Sequence, residues 1–273
     1  MNEPRNSPQR RKQFLVICLV MAVCFLYSFT TSGGFSSIEI EEGEFPGGPF
    51  VFKRTKRDYA ASQGLARFIA KEGGVEKKQH ADVVYTIYFD DPRIVMGGRQ
   101  QRFAAGLLAA KEDDRSKQLL SKNSDINGFT EEDFIELSAA ELWPKIKYET
   151  EVLPKTKAAV IQFPFTDGFI SALMLTWRII PALRQHVEQS GGGTTAVVIT
   201  TCSVDDQMCT HYAPLSMGET FLLGEPDCNE YAKALGKSEL FDFSQTMVFL
   251  KKVFPFVTYF SSDSKSQSQS EEL

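Results

Sequence analysis

The strongest hydrophobic run of the chain lies near its N-terminus. Residues 14–29 are sixteen positions with one plainly polar side chain, and three basic residues stand directly before them. As a helix extended to Thr31, this run is about 27 Å long, which equals the ~27 Å hydrocarbon core of an endoplasmic reticulum (ER) bilayer. We therefore predict a basic flank over 1–13 and a single-pass ER transmembrane helix over 14–31. Its anchoring side chains are Phe14, Leu15, Val16, Ile17, Leu19, Val20, Met21, Val23, Phe25, Leu26 and Phe29.

The sequence does not decide whether this helix is cleaved or on which side of the membrane the domain lies. A cleaved signal peptide also has a basic start, but its apolar region is usually about 7–15 residues, so an uncleaved anchor fits better. Basic residues precede the helix, and four glutamates follow it before Lys53. The positive-inside rule therefore places the domain in the lumen. The absence of an N-glycosylation sequon favours the cytosol instead.

Shorter alternations of apolar and polar residues fill residues 35–225, which we predict to be one domain. Helical periodicity predicts helices over 61–73, 131–143 and 167–190, with Pro181 disturbing the last one. Residues 111–130 are polar and predict a connector. Runs rich in β-branched and aromatic residues predict strands over 35–45, 50–60, 82–92, 100–110, 145–152, 157–165, 195–204 and 208–215, with a last edge strand at 219–224.

The order strand, helix, strand, strand occurs twice along this domain. It predicts an α+β fold made of a duplicated strand-helix-strand-strand unit. Two such halves side by side would leave a groove for a small hydrophobic ligand. Five aromatic residues of the predicted strands could line that groove or belong to the core: Tyr88, Phe89, Phe163, Phe165 and Tyr212.

The regular pattern is lost after Gly224. Residues 226–260 form an apolar segment, which contains Lys251, Lys252 and Pro255 and is too interrupted for a second span. For its part 238–260, a packed helix, a membrane-surface segment and a partner-binding segment all fit. Residues 261–273 are polar and predict a disordered tail.

Cysteine usage gives an expectation for redox state. Cys18 and Cys24 lie in the apolar run, whereas Cys202, Cys209 and Cys228 lie in the folded part. Three cysteines cannot all pair within the domain, so we expect reduced thiols. One disulfide with a remaining free cysteine is the alternative.

Candidate chemistry is sparse. The sequence has no P-loop, dinucleotide-binding glycine motif, nucleophile elbow or HExxH motif. Cys209 and His211 are two residues apart on a predicted strand and would face the same side, but no acidic orienting group is evident. The histidines show no zinc spacing with the cysteines, and the net charge of −5 argues against nucleic acid. We expect a non-enzymatic protein with no metal and no cofactor.

Three stretches resemble the testis-expressed protein 264 family: residues 88–95 ("YFDDPRIV"), 102–108 ("RFAAGLL") and 160–187, which include "QFPFTDGF", Trp177 and Pro181-Ala182-Leu183. The resemblance covers about residues 35–225. It implies a gyrase-inhibitor-like domain behind one ER span, without enzymatic activity. It further implies an ER-phagy receptor with a cytosolic domain, which binds ubiquitin-like autophagy modifier proteins through an acidic aromatic-x-x-aliphatic motif.

The chain departs from that pattern in two places. Its basic N-terminus opposes the implied orientation, although the resemblance makes a cytosolic domain our preferred expectation. Ser270 stands at the aromatic position of the final "SEEL", and a hydroxymethyl group cannot fill an aromatic pocket. Three other stretches match the aromatic-x-x-aliphatic pattern. Phe134 with Leu137 and Phe254 with Val257 are the candidate modifier-binding sites, whereas Trp143 with Ile146 is expected to be buried in the domain.

Overall fold

The computed structural model describes residues 8–76, 79, 83–95, 100–109, 114–125, 138–166, 168–191 and 197–239. The chain begins with helix α1 (Pro8–Thr31). Within it, Gln13–Thr31 is long and apolar enough to cross a membrane, a test that a signal sequence near the N-terminus also passes. The apolar side chains of this segment are exposed until its last turn, where Phe29 packs against the domain.

Eight strands follow along the described chain, and each pairs with its neighbours in antiparallel fashion. They are β1 (Glu41–Phe45), β2 (Gly48–Lys56), β3 (Val84–Tyr88), β4 (Arg102–Leu108), β5 (Glu149–Leu153), β6 (Thr156–Pro164), β7 (Val198–Ser203) and β8 (Met208–Pro214). Their order in the single sheet is β1-β6-β8-β7-β3-β4-β2-β5.

The sheet is strongly curled, as its connections require. Only residues 46 and 47 join β1 to β2, although these strands stand first and seventh in the sheet. In a flat sheet, the first and seventh strands would be six spacings of about 4.8 Å apart, or about 29 Å. Two residues span only about 7 Å when fully extended. The two edges of the sheet must therefore approach each other, which gives a half-barrel.

The helices of the domain are α2 (Ser62–Glu72), α3 (Asp114–Ser121), α4 (Ala139–Leu142), α5 (Phe169–Met174), α6 (Ile180–Gln189) and α7 (Cys228–Glu239). Helices α2 and α6 cover one face of the sheet: α2 packs on β3 and β4, and α6 packs on β6, β7 and β8. The α+β class predicted from the sequence is confirmed.

A π-helical turn, Leu175–Ile179, joins α5 to α6 directly before Pro181. The proline ring cannot donate an amide hydrogen bond to the preceding turn. The helix accommodates the missing hydrogen bond by forming one wider turn, with π-helical geometry. The predicted disturbance at Pro181 therefore takes the form of a π-turn between two helices that continue one another.

Apolar side chains on the two faces of the sheet form two cores. Between the sheet and its helices lie Leu65 and Ile69 of α2, together with Ile180 and Leu183 of α6. Inside the curl, aromatic residues dominate. Phe45 makes edge-on contacts with three other rings, those of Tyr85, Tyr212 and Phe221.

A buried ion pair connects the sheet to the C-terminal part of the domain. The Arg102 guanidinium donates to the Asp90 carboxylate at 2.6 Å, and both side chains are fully buried. The same guanidinium donates to a Glu225 oxygen at 3.0 Å and lies 3.7 Å from the centroid of the Tyr231 ring. These contacts hold α7 against the start of β4.

Several predicted elements differ from the structure. Residues 114–121 form α3, where a polar connector was predicted, because Leu119 and Ser116 are buried on one side while Asp114, Lys117 and Gln118 are exposed. The predicted edge strand at 219–224 is instead a 3-10 helix, Gly218–Leu222, between two left-handed residues. Helix α7 occupies a region where no element was predicted. Residues 126–137, Asp167 and residues 240–273 lie outside the described residues.

Candidate functional site

A cavity of about 450 Å³ lies between α2 and the α5–α6 helix, above the centre of the sheet. Strands β3, β7 and β8 form its floor, and both helices supply its walls. The volume is within the usual range of small-molecule sites, about 300–1,000 Å³. Because α2 packs on one half of the sheet and α6 on the other, the space between them is left open.

Three polar side chains cross the floor in one row. Thr86 of β3 is directly opposite Thr200 of β7, which is directly opposite His211 of β8. All three are buried, and Thr200 Oγ1 is 2.8 Å from His211 Nδ1. Burial lowers the pKa of His211 from its ordinary value of 6.5 to about 3. The imidazole is therefore neutral at physiological pH, and it can offer Nε2 to a ligand.

Aromatic side chains define two walls of the cavity. The Tyr88 hydroxyl is 2.8 Å from the Ser62 hydroxyl, which donates to the Tyr59 carbonyl at 2.7 Å. This chain of hydrogen bonds fixes the Tyr88 ring next to the start of α2. Phe163 and Phe165 close the opposite wall, at the end of β6 and directly after it.

Charged side chains near the cavity are basic. Arg67 and Lys71 of α2 are both lining residues and both exposed, which places them at the mouth. Four residues separate them in sequence, so they lie on the same face of the helix. Among the described lining residues none is acidic. The electrostatic field at the mouth therefore favours a negative group.

A disulfide between Cys202 and Cys209 forms part of the cavity wall. The expectation of reduced thiols is therefore wrong for this pair, and the alternative of one disulfide plus a free cysteine applies. The two residues are directly opposite each other on β7 and β8. Cys228 is free and buried, and its sulfur accepts a hydrogen bond from the Asp91 amide. Because Cys209 is oxidised, it cannot act as a thiolate nucleophile with His211.

The structure brings together three of the five predicted groove residues. Tyr88, Phe163 and Phe165 line the cavity. Phe89 and Tyr212 lie on the other face of the sheet and pack inside the curl. Successive residues of a strand point to opposite faces, so Tyr88 and Phe89 could not both line one groove. The same alternation explains why His211 lines the cavity and its neighbour Tyr212 does not.

Thr86 and Thr200 on the floor and the two basic residues at the mouth were not predicted as site residues, and His211 was considered only as a partner of Cys209. Strand periodicity could have indicated Thr86 and Thr200. Each lies two positions before a cavity residue on the same strand, Tyr88 or Cys202, and therefore points to the same face of the sheet. Nothing in the sequence indicates which strands become neighbours, and so the row of three could not be assembled. The two motif candidates Phe134–Leu137 and Phe254–Val257 lie outside the described residues. Among the described residues, no group of three potential metal ligands clusters.

No family model matches the sequence, and no curated protein matches it. Solved structures that match this chain include the EcmrR C-terminal domain, at 12% identity and a TM-score of 0.35, with 65% of this chain and 96% of that one covered. SAV2435 bound to tetraphenylphosphonium matches at 11% identity and a TM-score of 0.33, covering 64% and 93%. A hydrolase encoded by lin2189 from Listeria innocua matches at 13% and 0.31, covering 68% and 97%. At such low identity and TM-score, these likenesses carry no argument about function.

Proposed function

We propose that this chain is a membrane-anchored, non-enzymatic binding protein, in which α1 spans the ER membrane and the cavity holds a small amphipathic ligand. The observation that carries the proposal is the cavity itself. It has an apolar, aromatic wall, a row of buried polar groups and a basic mouth. That combination is typical of a site that binds a molecule by shape and a few oriented hydrogen bonds.

The ligand chemistry follows from the lining. Tyr88, Phe163 and Phe165 favour a flat or branched apolar body. The neutral His211 and the two threonine hydroxyls can exchange hydrogen bonds with a polar group on that body. Arg67 and Lys71 at the mouth favour an anionic group such as a carboxylate or sulfonate. We therefore propose an apolar molecule with one negative end.

Catalysis is not supported by the described residues of the cavity. The thiols of Cys202 and Cys209 are consumed by their disulfide. A histidine with a pKa of about 3 is a weak general base at neutral pH. The Thr200–His211 pair lacks an acidic partner among the described lining residues, and such a partner normally orients the imidazole of a catalytic nucleophile pair.

The binding proposal is tested with two probes of the same shape and opposite charge, naphthalene-2-sulfonate and 2-naphthylmethylammonium. Each is titrated calorimetrically into the full chain in phosphatidylcholine nanodiscs, with empty nanodiscs subtracted. We expect the sulfonate to bind at one site and the ammonium to bind more weakly. Ala66→Trp, which fills the cavity from the wall of α2, should abolish binding of the sulfonate.

Charge variants provide the matched control. Arg67→Glu should weaken sulfonate binding about tenfold, which corresponds to about 1.4 kcal/mol. Lys157→Glu makes the same charge change at an exposed position of β6 outside the cavity lining and should leave the affinity unchanged. Equal affinity of both probes, or binding that persists in Ala66→Trp, contradicts the proposal.

We further propose that the domain is gyrase-inhibitor-like and that the protein acts as an ER-phagy receptor. The support is the resemblance of residues 88–95, 102–108 and 160–187, two of which contribute cavity residues. This role requires the domain on the cytosolic side, where autophagy modifiers are found. The candidate contacts are Phe134 with Leu137 and Phe254 with Val257.

Capture of purified ubiquitin-like autophagy modifiers by the full chain in nanodiscs tests the receptor role. Phe134→Ala and Phe254→Ala are compared separately with the unchanged chain. We expect one of them to lose most binding, because the aromatic side chain fills a pocket of the modifier. Binding unchanged in both variants removes these motifs, and no binding by the unchanged chain removes the receptor role.

A further inference from the structure

Three large aromatic side chains are exposed close to the end of α1. Phe35 is 75% exposed, Phe169 is 52% exposed and Trp177 is 69% exposed. Phe169 and Trp177 are separated by eight residues, about two helical turns, and therefore lie on the same side of the helix that runs through α5 into the π-turn. We refer to Phe35, Phe169 and Trp177 as the aromatic face.

Direct contacts place this face at the end of α1. Thr166, three residues before Phe169, has its hydroxyl hydrogen-bonded to that of Ser32. Arg178, which follows Trp177, donates to the carbonyls of Gly33 at 3.1 Å, Gly34 at 3.0 Å and Ser36 at 2.9 Å. Carbonyl groups beyond a helix C-terminus attract a cation. Arg178 therefore fixes the segment after α1 to the domain.

The same segment is too tightly packed to act as a spacer. Gly33 has a positive φ of +77°, and a Cβ at this position would lie 2.6 Å from the Phe163 ring. The ring of Phe35 contacts that of Phe29 in the last turn of α1, with centroids 5.2 Å apart. The domain consequently begins within a few residues of the end of the apolar helix.

The length of α1 sets where that end lies in a bilayer. Gln13–Thr31 has 19 residues, or about 28 Å of helix, which is close to a hydrocarbon core of about 27–30 Å. Thr31 therefore lies near the boundary between acyl chains and headgroups. Tryptophan and other aromatic side chains are enriched at that level of a membrane, because the ring is apolar and its edge can still meet water.

We propose that the aromatic face lies in the headgroup region of the bilayer that α1 crosses, so that the domain is held against the membrane surface. The occupant of the face is phospholipid, and continuity with α1 is the reason for that assignment. This inference rests on the proposed membrane span. It adds that the domain has one fixed orientation relative to the membrane instead of moving freely on a tether.

The test uses Trp177 fluorescence in the full chain, reconstituted at one copy per phosphatidylcholine nanodisc. The chain has two tryptophans, so Trp143→Phe leaves Trp177 as the only one. We expect blue-shifted emission, strong quenching by lipids that carry a nitroxide near the headgroup, and weak quenching by iodide. If Trp143→Phe does not fold, the spectrum of the unchanged chain minus that of Trp177→Phe gives the same information.

Val152→Trp, in a chain without the other two tryptophans, is the matched control. Val152 is 69% exposed, as Trp177 is. It precedes the first residue of β6, whereas Phe169 and Trp177 follow the last one. Nine residues of β6 separate the two ends by about 26 Å. We expect the control tryptophan to be quenched by iodide and not by the nitroxide lipid.

Each outcome has a distinct meaning. Equal iodide quenching of Trp177 and the control tryptophan overturns the membrane contact while leaving the binding proposal intact. Shielding of Trp177 from both quenchers also overturns the membrane contact. It indicates that Trp177 packs against another part of the same chain, because a single-copy nanodisc holds no second copy. Sodium carbonate extraction is performed first in cell membranes. If carbonate releases the chain, α1 is no anchor, and the span itself fails.

Discussion

His211 makes the stability of the domain depend on pH in a calculable way. The folded protein holds the imidazole neutral, because burial lowers the pKa of His211 to about 3. In the unfolded chain the pKa returns to about 6.5. Below pH 6.5 the unfolded state therefore binds one more proton than the folded state. Stability is complete above pH 6.5 and is lost as the pH falls towards 3.

The magnitude follows from the size of the pKa difference. Each pH unit between the two pKa values costs about 1.4 kcal/mol. Lowering the pH from 7 to 5 should therefore reduce the free energy of unfolding by about 2 kcal/mol through this residue alone. That is a large share of the stability of an ordinary domain, about 5–15 kcal/mol.

Urea unfolding of the full chain in a non-ionic detergent, followed by near-ultraviolet circular dichroism, provides the measurement. His211→Asn keeps a hydrogen-bonding group near the Nδ1 position for Thr200 but cannot titrate. We expect the variant to lose about 2 kcal/mol less than the unchanged chain between pH 7 and pH 5. His186→Asn removes an imidazole outside the cavity and should retain the pH dependence of the unchanged chain.

Parallel loss of stability in the unchanged chain and in His211→Asn would refute this reasoning. It would mean that the buried imidazole accepts a proton in the folded state, which requires an acidic neighbour or water in the cavity. The same experiment in the presence of naphthalene-2-sulfonate gives a second check. Because the sulfonate is expected at the mouth beside Arg67 and Lys71, the bound probe should leave His211 neutral, and the difference between the two chains should persist.

Two further predictions concern the buried ion pair and the disulfide. Arg102→Leu should destabilise the domain by about 3–5 kcal/mol in urea unfolding, because the Asp90 carboxylate stays buried without its partner. Adding Asp90→Asn should restore most of the lost stability. If the losses of the two single variants simply add in the double variant, this explanation is contradicted. For a cytosolic domain, a maleimide that cannot cross membranes should label Cys202 and Cys209 in sealed microsomes, since the cytosol keeps thiols reduced. Labelling that requires both detergent and a reductant would instead indicate an intact disulfide in the lumen and remove the receptor proposal.

Part of the fold could be predicted because it depends on local sequence. The apolar run of α1, the alternation of the strands and the helical periodicity around Leu65 and Ile69 all indicate element type directly. Helix α7 was missed because Gly236 and the preceding Pro226 interrupt the pattern around it. The segment 219–224 was misassigned because a short apolar run fits a strand and a buried 3-10 turn equally well.

The candidate site was only partly predictable, and the reason is geometric. Tyr88, Phe163 and Phe165 were identified as aromatic strand residues, but Phe89 and Tyr212 passed the same compositional test. Choosing between them requires knowing which face of each strand meets the helices. The motif candidates beginning at Phe134 and Phe254 stay predictions, as does the membrane side of the domain.

By itself, the sequence determined the apolar helix, the α+β class and the position of most strands, because these follow from the spacing of apolar residues along the chain. Only the tertiary structure decided that Thr86, Thr200 and His211 form one row, that Cys202 lies opposite Cys209, and that the two helices leave a cavity between them. These features depend on strand order, register and curl. They join residues that lie up to about 125 positions apart, and no local pattern encodes that pairing.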